Sequence, residues 1–198
     1  MTPMETLRAE HRDILRVLAC LEVATDAIDA GRPVAVADLR SMVRFFREYA
    51  DGCHHAKEEA HFFPALERHG IPRHGGPVAV MLEEHEEGRE AVRGMADALA
   101  TESPNAAALS DFASHARGFV PLLRGHIGKE DHVLFRMAED ALTPAAIAEL
   151  EDLFEKVVRL EIGQAAHDEL AGIARELGER YGVPEQSNLD NLPSCAGG

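Results

Sequence analysis

Cysteine is scarce in this chain: Cys20, Cys53 and Cys195 are odd in number, far apart, and never spaced as C-x-x-C. That excludes a disulfide framework and a zinc ribbon, and it fits a reducing compartment. No apolar run is long enough to span a bilayer. The opening Met1-Thr2-Pro3-Met4-Glu5 has neither the basic nor the apolar region of a signal peptide, so a cytoplasmic protein is expected. Positive charge is also scarce. Against 35 Asp and Glu stand 20 Lys and Arg, a formal charge of −15. Such a surface repels nucleic-acid phosphates and anionic membranes, so neither is expected as a partner. It attracts cations, although acidic surfaces mostly serve solubility. Strand-type alternation is missing throughout.

What remains is helical periodicity. Met4, Leu7, His11, Ile14, Leu18, Leu21 and Ile28 form a stripe spaced by three and four, which predicts a first helix over about residues 3–29, stopped by Gly31-Arg32-Pro33. A second stripe carries Leu39, Val43, Phe46, Ala50, His54, Glu58 and Phe62, ends near His69-Gly70, and is expected to be disturbed at Pro64. A third helix starts near Pro77 with Val78, Met81, His85, Val92, Ala96 and Leu99. A fourth carries Phe112, Phe119, Leu122, His126, Glu130, Val133 and Met137, with a kink expected at Pro121. Thr143-Pro144 caps a fifth helical region that reaches Tyr181 with a break at Gly163. The short connections predict an all-α, up-down-up-down four-helix bundle over residues 1–141. A helical extension over 142–182 is expected to pack on it, followed by a disordered tail over 183–198.

Two stretches spell nearly the same phrase: His54-His55-Ala56-Lys57-Glu58-Glu59 and His126-Ile127-Gly128-Lys129-Glu130-Asp131. Each sets a histidine four residues before a glutamate, one above the other on a helix face, with a lysine between. One such pair is expected by chance among about eleven histidines in an acidic chain. The repeat is the signal, together with Glu10-His11 upstream of the first copy and Glu84-His85 upstream of the second. His11 lies 21 residues before Arg32 at the first turn and His54 lies 22 after it, so antiparallel helices bring them to one height.

The inward set is therefore His11, His54, Glu58, His85, His126 and Glu130. Uncompensated burial of such groups costs several kcal/mol each. One ion rarely takes six side chains of this kind. Two ions do, with two imidazoles each and both glutamates bridging. Mixed nitrogen and oxygen donors with open positions suit iron, with manganese, cobalt or zinc as alternatives.

The pattern H…HxxxE…H…HxxxE over residues 4–140 resembles the hemerythrin-like (HHE cation-binding) family. The resemblance implies two iron ions with an oxo or hydroxo bridge, held by those six residues and responsive to O2, nitric oxide or peroxide. It implies a monomer or small homo-oligomer that binds, senses or detoxifies these molecules or repairs iron centres. A di-iron oxidase, peroxidase or catalase-like enzyme with a small organic substrate is a second reading, and an iron- or oxygen-responsive regulatory module a third. One departure stands out. Oxygen-carrying relatives have a fifth histidine one turn before the third-helix ligand, and here that position is Met81. Two histidines per iron leave both ions an exchangeable position.

Other residues have plainer roles. His55 and Glu59 repeat the spacing one position round the helix and are expected to face a neighbouring helix or solvent, or to act behind the ligands. Glu10 and Glu84 are placed to accept a ring N–H from a neighbouring ligand or to lie on solvated faces. Cys53 is expected as a small buried thiol. In the fifth helical region, Glu161 or His167 could reach the metal, although the simpler expectation is a helix packed outside the bundle.

Overall fold

The computed structural model describes residues 1–185, except the side chain of Glu161, so the stretch 186–198 of the expected tail and Cys195 lie outside the described residues. Six helices follow one another. Helix α1 is Pro3–Asp29, opened by a capping box in which Thr2 and Glu5 satisfy each other's backbone N–H. Helix α2 covers 36–68, α3 is Pro77–Ala98, and α4 covers 106–141. Helix α5 covers 144–162 and α6 is Gln164–Tyr181. Gly163 (φ 87°) turns the chain between α5 and α6, and Gly182 (φ 68°) ends α6; both adopt left-handed backbone that glycine takes at least cost. Helices α1 to α4 pack α1 on α2, α2 on α3, α3 on α4 and α4 on α1, which closes an up-down-up-down bundle. Among the described residues no helix is long and apolar enough to cross a membrane.

Three helices depart from regular α-winding: α2, α4 and, over Val157–Ile162, α5. In α2 the stretches Phe46–His55 and Glu58–Phe62 wind with i→i+5 hydrogen bonds, and in α4 so does Glu130–Leu134. Wider winding of this type is frequent at functional sites. The disturbance expected at Pro64 thus begins earlier. Pro64 lies in the first turn of the α-helical Phe63–Arg68, where its missing N–H is tolerated and the wide winding ends. Helix α4 remains α-helical through Pro121 up to Lys129.

The core is divided. One apolar cluster joins Leu18, Leu39, Phe46, Met95, Phe112 and Leu177. A second, at the other end, joins Leu7, Phe62, Val78, Phe135 and Phe154. Each fully buried side chain of this size contributes roughly 1.5–3 kcal/mol. Positions 11, 54–58, 85 and 126–130 fall between the two clusters in all four helices, so the polar phrases form a layer sealed from both ends. Helices α5 and α6 pack mainly against α1 and α2.

Candidate metal centre

All six inward residues are buried: His11, Glu58 and Glu130 are 0% exposed, and His54, His85 and His126 are 1%. They meet in two groups, His11, His54, Glu58 and Glu130 in one, and His55, Glu58, His85 and His126 in the other, each with one ligand atom per residue inside 4.8 Å.

A closed ring of carboxylates aims the imidazoles. Glu10 of α1 accepts from His54 Nδ1 at 3.0 Å, and Glu59 of α2 from His85 Nδ1 at 2.7 Å. Glu84 of α3 accepts from His126 Nδ1 at 3.0 Å, and Asp131 of α4 from His11 Nδ1 at 3.0 Å. Each helix thus fixes a histidine of the next. Holding Nδ1–H on a carboxylate turns Nε2 inward and makes it the donor atom, the usual arrangement behind metal-bound histidine.

The inward atoms test whether ions fit. His11 Nε2 lies 3.0 Å from His54 Nε2, and His85 Nε2 lies 3.2 Å from His126 Nε2. Two nitrogens about 2.1 Å from one ion and at a right angle around it are about 3 Å apart. Glu130 Oε2 is 3.2 Å from His11 Nε2 and 3.3 Å from His126 Nε2; Glu58 Oε2 is 3.7 Å from His54 Nε2 and 3.5 Å from His85 Nε2. Each glutamate therefore reaches both groups. Yet none of the four oxygens of Glu58 and Glu130 has a hydrogen-bond partner, although all are buried. Buried carboxylates left this way are costly unless a cation meets them. The donor set fits two metal ions.

Without metal, protons take their place. Burial pushes His11 down, but Asp131 and Glu130 outweigh it and raise it. Burial and the neighbouring His11 lower His54 to about 4 against the pull of Glu10. In the other pair burial opposes, but the charge of Glu130 raises His126 to about 9, while burial lowers His85. Burial and the charge of Glu130 push Glu58 well above the ordinary range; Glu130 falls well below it despite burial, because His126 and His11 face it.

Lysines complete the layer. Lys57 Nζ bonds Glu10, and Lys129 Nζ bonds Glu84. The repeated lysine of the two phrases was the visible signal for this, though its role was not read from the sequence.

The remaining expected residues fall as follows. His55 turns inward beside the second group: it is 6% exposed, and its ring stacks on that of His85 with centroids 3.7 Å apart. Burial and the neighbouring His85 hold it well below the usual histidine range. Met81 is buried in the second apolar cluster. His167 does not join either group; its Nε2 is 4.0 Å from Glu10 Oε1, and it gathers instead with Glu10 and Cys53. The side chain of Glu161 lies outside the described residues. Cys53 is buried, and burial lifts its thiol to about 11 against the influence of Lys57, so it is not a ready nucleophile.

The hemerythrin HHE cation binding domain matches the chain over residues 2–138, which takes in α1 to α3, α4 as far as residue 138, and every residue of the buried layer named above from α1 to α4. No curated protein and no solved structure matches it.

Proposed function

The chain belongs to the hemerythrin HHE cation-binding family, and from that premise we propose that the buried layer is a two-iron centre that binds or reacts with O2, nitric oxide or peroxide. The observation that carries this reading is the pair of facing Nε2 contacts, 3.0 and 3.2 Å, beside four carboxylate oxygens without hydrogen-bond partners. His11 and His54 would hold one ion and His85 and His126 the other, with Glu58 and Glu130 supplying carboxylate oxygens to both. Bound iron supplies the redox change and the exchangeable coordination position. The chain supplies the rest: Glu10, Glu59, Glu84 and Asp131 orient the rings, the two apolar clusters exclude water, and Lys57 and Lys129 offset the acids behind the ligands. Buried free thiols at Cys20 and Cys53 are in keeping with a reducing, cytoplasmic setting.

A second reading, oxidation of a small organic molecule, draws support from a cavity of about 380 Å³ lined by His55 together with Phe46, Val92 and Phe119. That volume is within the range of ligand pockets.

Anaerobic purification with iron counted per chain tests the first reading, with spectra before and after O2, nitric oxide or peroxide. Two irons per chain are expected, with bands that change on adding one of the three. His54→Ala and Glu130→Ala should each lose stoichiometric iron; two irons retained in both variants overturn the ligand set. Repeated turnover that needs an organic co-substrate would favour the second reading instead.

A further inference from the structure

The two copies of the phrase differ in one inward-turned letter. Where the second has Ile127, the first has His55. We propose that His55 is a seventh protein ligand, giving one ion three imidazoles (His55, His85 and His126) and leaving the other with two. This rests on the two-metal reading above and deepens it, by adding to the His85–His126 group a donor from the first copy of the phrase.

Four observations converge. A ring nitrogen of His55 lies within 4.8 Å of donor atoms of Glu58, His85 and His126. Its Nδ1 faces Asp51 Oδ1 at 3.4 Å, the same kind of carboxylate tether that orients the other four histidines, and Arg89 holds Asp51 in turn at 2.8 Å. That tether is the only hydrogen bond of the ring among the described residues, so Nε2 is free to bind. The wide winding of Phe46–His55 narrows the angle between successive side chains, which lets His54 and His55 both turn inward. Finally, the position one turn before His85 is filled by Met81 in apolar packing, so the third imidazole of this ion comes from α2 instead. The plain alternative is a core histidine packed flat on His85.

The cavity that His55 lines gives the means to separate the two. Metal-free protein is titrated with Co(II), reading stoichiometry by calorimetry and coordination by visible absorption. The wild type should take two ions. His55→Gly should weaken the second by at least about a hundredfold, beyond the 10–100-fold typical of residues behind the ligands, and leave the first within about threefold. Millimolar imidazole, entering through the cavity, should restore the second ion and its spectrum. His55→Phe keeps a stacked ring without nitrogen; it should fold and still lose the second ion. If His55→Phe binds both ions with the affinity and spectrum of the wild type, His55 only packs and the proposal is overturned. If His55→Gly folds, binds both ions and ignores imidazole, it is overturned too. A wild type that takes fewer than two ions fails the two-metal reading, a different result from either.

Discussion

The first copy of the phrase, with Glu10-His11 before it, and the second, with Glu84-His85 before it, share their histidine, lysine and glutamate positions in different surroundings. Each carries a buried inward histidine, a lysine on the upstream glutamate, a buried glutamate that reaches both histidine groups, and an acid that orients the upstream histidine of the other pair of helices. But Lys57 is fully buried, with its ammonium 5.8 Å from the centre of the Phe154 ring of α5, while Lys129 keeps 44% of its side-chain surface exposed. Glu10 and Glu84 differ alike, at 7% and 15%. The cause is α5 and α6, which pack on α1 and α2. One motif therefore yields a dry ion pair in one half and a wet one in the other, and its energetic weight follows from burial rather than from its letters.

The largest test of that contrast replaces each lysine by methionine. Lys57→Met leaves the Glu10 carboxylate buried without its partner, and breaking a buried pair this way costs about 3–5 kcal/mol. Lys129→Met removes an exposed pair worth about 0–1 kcal/mol. Denaturant unfolding of the metal-free proteins reads the difference; equal losses would erase the distinction between the halves.

Acid should sharpen it next. Despite burial, His54 and Lys57 hold Glu10 down to about 2 from 4.5, so its folded pKa is depressed. A depressed carboxylate stabilises the fold in full above its unfolded pKa, near 4.5, and the contribution is lost as pH falls through about 2. The shift corresponds to something on the order of 3 kcal/mol. Glu84 is lowered also, but it is more exposed and offset in the same way by burial, so it contributes less. Metal-free Glu10→Gln should therefore show a flatter loss of stability between pH 5 and 2 than the wild type, and Glu84→Gln a profile close to the wild type. Matching profiles for both variants would refute the assignment.

The sequence made the helices and the six inward residues legible because both rest on period: apolar stripes at 3.6 residues, and two phrases that repeat. Three things were not legible, for physical reasons. His55 was read as turned away because adjacent residues on an α-helix point about 100° apart; the wide winding that brings it inward is a backbone register set by packing, and no local letter announces it. Pro64 drew attention to the wrong end of that winding. Lys57 and Lys129 are the same letter in the same place, and their difference in burial comes from α5 and α6, which begin only at Pro144. His167 was a candidate for the metal; it gathers with Glu10 and Cys53 instead, beside the Tyr49 ring.

The smallest expected effect concerns how the two ion positions are supported. Arg89 reaches Asp51 at 2.7 Å and Glu59 at 2.7 Å, the two carboxylates that face His55 and His85. Both histidines belong to the same group of ligands. On the other side Arg8 stands only 3.9 Å from Asp131, which orients His11, and pairs more closely with Glu139 at 3.0 Å. Neither arginine touches a ligand, so removing either leaves the donor atoms in place and costs only their alignment. Arg89→Met should weaken one Co(II) ion by about tenfold, the low end of what groups behind the ligands contribute, and leave the other unchanged. Arg8→Met should change neither by more than about twofold. Because a general loss of stability would weaken both ions together, selective weakening of one by Arg89→Met identifies the clamp as a positioning device for that ion. Equal weakening of both would reduce Arg89 to a surface ion pair.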